Sequence, residues 1–379
     1  MSVRQNMCIA PLFAVAIFLI VSPITFAQEL HNEYKATWRG KVLEITEQEM
    51  REIPGTDTEH LYQTLYIEIL DGPRAGEKLT IENDYLALEE RDTFYFNYLE
   101  YIGGEEVYAV INIDRRESLI IFLLLFIAVV IAFGGWQGAR SLLALAGSFA
   151  AIFYILLPGL LQGWNPLLVS FAVASTILFG AIFFTHGFNR ESAVAYGGTM
   201  LSVLLTGILA IIAVDMNDLS GFIGDESVYL NFNTRGSLDF TGLLLGAIII
   251  GVLGVLDDIA VTQAAVVSEL YNSNPAMGAR EVYRRALRVG REHVGALVNT
   301  LILAYTGVSL PLLLYFHQSP LGFDSLVNAE IFATEIIRTI IGSIGLIMTV
   351  PIVTALAVYY LKGYKLTHSH SHSHEHNHQ

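Results

Sequence analysis

The sequence predicts a polytopic α-helical membrane bundle of about seven spans, preceded by a small β-barrel-like domain of OB or SH3-like type. Of the 379 residues, 53% are hydrophobic and only 15% are charged. The mean hydropathy is +0.52, which is typical of a multi-pass membrane protein and not of a soluble enzyme. Apolar stretches of membrane-spanning length follow residue 117. Residues 34–114 instead contain short runs of β-forming residues.

Residues 1–27 are typical of a signal peptide. Arg4 precedes an apolar stretch at 7–20, and Ala27 ends a small-x-small cleavage motif before Gln28. An uncleaved anchor is the alternative. Cys8, the one cysteine of the sequence, lies in this segment. A chain cleaved after residue 27 would therefore have no disulfide, no thiolate nucleophile and no thiolate metal ligand.

Residues 28–117 are predicted to form an extracytoplasmic acidic β domain. Turn-forming Gly, Pro and Asp residues separate five runs rich in Tyr, Phe, Val, Ile and Thr, at 36–45, 61–70, 78–82, 93–101 and 107–113. Five short strands of this kind indicate a small barrel. The segment holds 21 acidic and 9 basic residues, a balance of −12, which argues against nucleic acid as a partner. A structural cap or an assembly domain is the simplest role.

Residues 118–361 are predicted to form the transmembrane helical domain. The candidate spans are 118–135, 141–161, 166–186, 192–214, 239–258, 294–316 and 331–361. Pro351 predicts a kink in the last of them. If the β domain is outside, the inside loops carry nearly all the loop arginines and the outside loops are acidic, as the positive-inside rule requires. We therefore expect the C-terminal tail, 362–379, to be cytoplasmic.

Two adjacent carboxylates, Asp257 and Asp258, follow a glycine-rich apolar run in the fifth candidate span. Acidic groups inside a membrane are costly and usually reach water or serve a function. If the helix continues, Asp258, Thr262 and Glu269 share one face, because their spacing follows the helical repeat. This polar stripe predicts a cation or proton site. The alternative is that the membrane ends near Leu256 and that both aspartates are interfacial, pairing with the arginines that follow.

The sixth candidate span carries two further polar residues, Asn299 and Thr306, which recur at helical spacing. Asn299 is expected to hydrogen-bond a neighbouring helix or to complete a site with Asp258. The segment before this span is predicted to be a basic amphipathic helix on the inner leaflet, in contact with anionic lipids. Its charged face consists of Arg284, Arg288 and Arg291.

In the last span, Glu335 and Arg338 are three residues apart, so an ion pair is expected. A part in an outer gate is the alternative for this pair.

The C-terminal tail is rich in histidine, a ligand suited to Zn, Ni and Cu. Weak binding of a divalent transition metal is the one cofactor that the sequence suggests; any other is unknown. The histidines alternate with polar residues and are His368, His370, His372, His374, His376 and His378.

Three stretches resemble the bacterial YibE/YibF-like membrane protein family: 251–275 with both aspartates, 283–293 with the basic face, and 299–311 with Asn299 and Thr306. The resemblance extends over about 117–361 and, more loosely, into the β segment. It implies a multi-pass protein of the bacterial inner membrane, and it implies no reaction. Relatives with one aspartate in the central segment imply that one carboxylate is the essential one. The histidine tail is not part of the family pattern.

Two functions remain open on the sequence. The first is a transporter or permease-like protein whose carboxylates bind a cation or a proton. The second is a non-transporting envelope sensor or assembly factor whose β domain binds a partner. A homo-oligomer or a related membrane partner is compatible with both. No P-loop, nucleophile elbow, zinc-protease motif or dinucleotide fingerprint is present, so an enzyme is not expected.

Overall fold

The computed structural model describes residues 34–52, 59–100 and 106–362. The predicted signal peptide and the histidine-rich tail lie outside these residues. The chain divides into two compact units, with the boundary between Phe133 and Gly134.

The first unit contains a five-stranded antiparallel sheet, which forms half of a barrel. Its strands are β1 (Tyr34–Glu52), β2 (Glu59–Ile69), β3 (Lys78–Asn83), β4 (Thr93–Glu100) and β5 (Glu106–Ile113), in the order β3-β2-β1-β4-β5. The five predicted strands are present, but β1 is longer than predicted. It pairs with β4 over its first half and with β2 over its second half, and it is bulged near Val42 and Ile45. Bulges bend a strand and help a sheet curl.

Alternation along the strands builds the core of the sheet. In β2, Leu65, Ile67 and Ile69 are fully buried, whereas the residues between them are more exposed. In β4, Phe94 and Phe96 are buried on the same principle. Side chains of a strand point to alternate faces, so this pattern gives one face to the core and the other to solvent.

A charged network joins the two outer parts of the sheet. Arg74, in the turn before β3, donates to Glu106 at 2.9 Å and to the Tyr108 hydroxyl at 2.8 Å, both on β5. The hydrogen bond from Tyr108 and the guanidinium of Arg74 lower the pKa of Glu106 to about 2. Burial and the neighbouring Glu106 raise the pKa of Tyr108 to about 12. Arg74 also pairs with Glu77, so one guanidinium connects the turn with the far strand.

The second unit is a helical bundle, and its first helix begins in the first unit. The helices are α1 (Arg116–Ala151), α2 (Leu157–Leu161), α3 (Pro166–Phe179), α4 (Arg190–Met216), α5 (Gly224–Asn233), α6 (Phe240–Ser273), α7 (Ala279–Val308), α8 (Leu310–Gln318), α9 (Phe323–Val327) and α10 (Glu330–Tyr360). A π-helical turn connects α1 with α2, and another extends α3 to Phe184.

Three of the long helices begin at side-chain caps, which explains where they start. In each case the cap oxygen accepts a hydrogen bond from the backbone N–H three residues later, and so satisfies a group that the helix leaves unpaired. The caps are Asn165 for α3, Asn189 for α4 and Asp239 for α6.

The described residues contain five helical stretches long and apolar enough to cross a membrane, or six if α7 and α8, bent by 65°, form one span. The seven spans predicted from the sequence are thus not confirmed. The first two candidates form one helical run, Arg116–Leu161, broken in backbone angles at Gly135. At 1.5 Å per residue, the helical turns on the two sides of this break add up to roughly 69 Å of helix, about twice a hydrocarbon core.

Two helices extend beyond the predicted spans. The span expected to end at residue 258 continues as α6 to Ser273, and the basic segment expected to be a separate surface helix is the first half of α7. In both cases the charged residues lie on an outer face, while the opposite face continues to pack. A run of charges therefore did not mark the end of a helix.

Helices α4, α6 and α10 pack closely through small residues. A Cβ added at Gly198 of α4 would lie 2.6 Å from Val353 of α10, and one at Gly345 of α10 would contact the Thr206 hydroxyl. Gly246 of α6 meets Ser170 of α3 equally closely. Small residues allow this approach in membrane bundles, and Gly246 gives α6 such a contact with α3.

Polar contacts tie the helices together at the two ends of the bundle. At one end, Glu330 accepts hydrogen bonds from Ser220 and from the Gly221 N–H. At the other end, Ser268 donates to Glu191 at 2.5 Å, and the Tyr271 hydroxyl donates to the Val358 carbonyl at 3.2 Å. The loop that contains Ser220 and the loop that ends at Glu330, both predicted to be outside, therefore lie at the same end of the bundle.

Candidate functional site

The structure places Asp258, Thr262 and Glu269 on one exposed face of α6, together with Ala265. Asp257 is half-buried, about a quarter turn away. The opposite face is fully buried and includes Leu256. α6 thus has one face made for a packed core and one face of small and acidic residues that nothing in the described structure covers.

A cavity of about 340 Å³ lies beside this face, between α6, α7 and α10. Its polar lining comes from Thr262 and Gln263 of α6 and from Glu292 and His293 of α7. The volume is large enough for several water molecules. The cavity therefore brings Thr262, a residue expected from the sequence, together with three polar groups that were not assigned to the site.

Gln263 forms the closed side of the cavity. Its side-chain nitrogen donates to the Ala286 carbonyl of α7 at 2.9 Å and to the Thr354 hydroxyl of α10 at 2.8 Å. Gly290 permits this arrangement, because a Cβ there would lie 2.8 Å from the Gln263 oxygen and 2.5 Å from Val350. One amide thus connects three helices at the level of the cavity.

Asp258 lies close enough to His186, beyond the end of α3, and to His293 of α7 to interact electrostatically with both. Its backbone N–H donates to the Asp257 carboxylate at 3.0 Å. The two aspartates are therefore not a shared-proton pair aimed at one point. Across 34–52, 59–100 and 106–362, no three His, Cys, Asp or Glu side chains are grouped closely enough to hold a metal ion.

The outward face of α7 is polar along most of its length. Arg284, Arg288 and Arg291 are all exposed, and Asn299 and Thr306 continue the same face toward the C-terminal end. The Thr306 hydroxyl donates to the Ile302 carbonyl within its own helix at 2.8 Å. No contact joins Asn299 to Asp258 in the described structure, so their cooperation remains a prediction.

The last helix contains a local ion pair. Arg338 donates to Glu335 at 2.6 Å, and both side chains are about three-quarters buried. The buried Arg338 Nε has no hydrogen-bond partner among the described residues. The pair lies toward the end of the bundle that contains Glu330. The α7 arginines lie toward the other end, beyond the level of the cavity.

The neighbours of α6 indicate the depth of Asp258. Ile259, the next residue, packs in one cluster with Val203 of α4 and Val350 of α10. Val203 is midway between Glu191 and Asp215, and Val350 is midway between Arg338 and Lys362. Each valine is thus roughly 18 Å along its helix from the nearest charge. Asp258 is level with the centre of the uncharged lengths of α4 and α10.

At this level the two sides of the bundle differ in polarity. The outer surface of α4 and α10 exposes Leu201, Leu204, Ile347 and Met348, which suits lipid. The α6–α7 surface exposes Asp258, Arg291, Glu292 and His293. Charged groups are costly against hydrocarbon. The second surface is therefore suited to water or to protein, and not to lipid.

Sequence reasoning missed three features of this site. The sequence offered no reason to assign a role to Gln263, because its role depends on partners that are distant in sequence. His186 is the last residue of the predicted span 166–186 and was given no role. A buried row of hydroxyls bonded within α4, at Thr199, Ser202 and Thr206, was also missed. The spacing of these three along one face was the available signal.

The family comparison covers the whole of this site. The model of the YibE/F-like protein family matches residues 122–363. Comparison with curated proteins and with solved structures found no match. The matched range includes α6, α7 and α10, and it leaves out the β sheet. Because it covers more than half of the sequence, this chain belongs to the YibE/F-like protein family.

Proposed function

We propose that this chain is a multi-pass transporter or permease-like protein of the bacterial inner membrane, and that Asp258 binds a transported or coupling cation or proton. The observation that carries the proposal is the difference in polarity between two sides of the bundle at one depth. An acidic residue level with the middle of an apolar slab is by default a functional residue. Here the next residue, Ile259, and Thr262 one turn further along line a cavity that also contains Glu292 and His293.

The arrangement suits a path from the cytoplasmic side. Under the positive-inside rule, the end of the bundle with the α7 arginines is cytoplasmic. Water entering along the α6–α7 surface would meet Glu292, His293 and Thr262 before Asp258. Gln263, tied to α7 and α10, closes the cavity on its far side. A site open on one side and closed on the other is what alternating access requires of one of its states.

Reconstituted flux tests this proposal. The purified protein is placed in liposomes with an internal pH dye, a potential is imposed, and a panel of monovalent and divalent cations is screened in parallel. We expect Asp258→Asn to abolish the flux, since the amide has no negative charge to balance a cation and does not accept a proton. Asp257→Asn should retain part of it, because Asp257 points elsewhere.

The matched control is Asp215→Asn, which removes an exposed carboxylate at the end of α4, away from the cavity. All variants must elute like the unmodified protein in size-exclusion chromatography. An Asp258→Asn variant that elutes normally and transports as fast as the unmodified protein would refute the proposal.

A second candidate function comes from the β sheet. The sheet has β1 at its centre, with β2 and β3 on one side and β4 and β5 on the other. Its two edge strands, β3 and β5, approach each other. This arrangement suggests the open five-stranded barrel of an OB domain, a fold that often binds ligands. An acidic domain outside the membrane would suit a cationic envelope partner. In this case the chain is a sensor or assembly factor. We then expect deletion of residues 34–113 to cause the same cellular defect as loss of the whole protein, and Asp258→Asn to cause none.

A further inference from the structure

Two charged rows of opposite sign lie beside each other on the surface of the bundle. The acidic row is on α6 and contains Asp258 and Glu269; the basic row is on α7 and contains Arg284, Arg288 and Arg291. All five side chains are exposed or lie on the exposed face. Among the described residues, none of the three arginines and neither acid forms an ion pair. The two rows are neighbours that do not neutralise each other within the chain.

The rows are in register along the bundle. Val267 and Tyr271 lie two residues to either side of Glu269, and Val282 and Ala286 lie two residues to either side of Arg284. These four residues belong to one packed cluster. Arg291 follows Gly290, which approaches Val350, and Val350 packs with Ile259 next to Asp258. Each acid of α6 is therefore level with an arginine of α7.

The acidic row lies on a face that allows a helix to approach. Ala265 lies between the two acids and is exposed, and a Cβ added at Gly254 would have no neighbour within 4 Å. Small residues on a membrane helix are where another helix packs. At the depth of Asp258 and Arg291, charges of both signs also make lipid an unsuitable neighbour.

From this charge complementarity we propose that a second copy of this chain covers the α6–α7 face from Ala265 to Glu269 and leaves Thr262, at the cavity, open to water. A two-fold axis along the membrane normal keeps each residue at its own depth and sets the same patch of both copies against each other. Glu269 of one copy then faces Arg284 of the other, and Arg284 of the first faces Glu269 of the second. The inference goes beyond the proposed transport function and does not depend on it.

A charge-reversal experiment with two affinity tags tests the dimer. In a Glu269→Arg homodimer both facing pairs are Arg with Arg, and in an Arg284→Glu homodimer both are Glu with Glu. When the two variants are co-expressed, a mixed dimer restores both pairs. We expect each variant alone to lose co-purification of its tagged copies, and the mixture to regain at least about tenfold, as coupling energies of close interfacial charge pairs allow.

The chain carrying both changes serves as the folding control, since its homodimer again has opposite charges at both positions. Proximity is tested by oxidative cross-linking in membranes, in a Cys8→Ser background, between Ala265→Cys on one tagged copy and Arg288→Cys on the other. The matched control replaces Ala265→Cys by Ala355→Cys, which is exposed on the α10 side. We expect a cross-link with position 265 and none with position 355.

Three results would overturn the dimer, and none of them bears on flux. Equal recovery of tags in all combinations would mean that the charge rows do not meet. A monomer whose Ala265→Cys reacts with a soluble maleimide would mean that water covers the face. A monomer in which that cysteine is protected would mean that another segment of the same chain covers it.

Discussion

The close approach of α4 to α10 leads to a stability prediction that can be tested on two adjacent glycines. At Gly198 an added Cβ would lie 2.6 Å from Val353 Cγ2 and 3.3 Å from Val353 Cα, whereas at Gly197 it would have no neighbour within 4 Å. The Val353 backbone cannot yield easily, because α10 packs along both α4 and α6. We expect Gly198→Ala to strain the bundle and Gly197→Ala to leave it unstrained.

The magnitude follows from two opposing effects. Both substitutions gain helix propensity, about 1 kcal/mol relative to glycine. Gly198→Ala also overpacks a tight contact, which costs typically about 1–3 kcal/mol. Gly197→Ala should therefore stabilise the protein slightly, and the free energy of unfolding of the two variants should differ by about 1–3 kcal/mol. Taking the difference removes the propensity contribution.

Equilibrium unfolding in detergent micelles measures this difference, and a relief variant sharpens it. Val353→Ala removes the methyl group that the new Cβ would meet, so it should recover part of the loss in the Gly198→Ala background and none in the Gly197→Ala background. Equal stability of the two alanine variants would refute the packing argument. An equal response to Val353→Ala in both backgrounds would do so as well.

Three other changes test the polar contacts. Gln263→Leu should lower the free energy of unfolding by about 1–3 kcal/mol in micelles, because it removes two hydrogen bonds of a buried amide, whereas Thr262→Val next to it should cost little. Glu335→Gln should cost about 1 kcal/mol by loss of its pair with Arg338, with no further loss when Arg338→Gln is added. Folding lowers the pKa of Glu106 from 4.5 to about 2, so its stabilisation is present above about pH 4.5 and is lost as pH falls toward 2. Proteolysis of the β domain should therefore accelerate over that range, and Glu106→Gln should respond less to pH; an unchanged pH profile would contradict the role of this network.

Hydropathy and strand patterning predicted the two structural classes, because both depend on local sequence. The alternation around Leu65 and Phe94 identifies strands, and apolar length identifies the long helices. The two helices that extend beyond the predicted spans do so for a common reason. Asp258 is the last residue of a predicted span and Arg284 lies before the next one, but each lies on one face of a helix whose other face continues to pack. Charge along a sequence does not reveal which face it occupies.

The stripe of Asp258 with Thr262 and Glu269 followed from helical spacing alone. The cavity and the contacts of Gln263 did not, because they depend on how α7 and α10 approach α6. Depth was also inaccessible from one helix. The depth of Asp258 followed from Val203 and Val350. The sequence shows how far these valines are from the nearest charges, but it does not show that they pack against α6. Local pattern gives the face, and tertiary packing gives the depth.

The most direct test of this account compares water access at two positions of equal depth on opposite sides of the bundle. Thr262 adjoins Gln263, whose partner Thr354 adjoins Ala355. Single cysteines at 262 and 355, in a Cys8→Ser background, are treated with a membrane-impermeant maleimide applied to inside-out vesicles. The account predicts rapid labelling at 262 and none at 355. Protection at both positions, or equal labelling at both, would contradict a polar access path on the α6–α7 side.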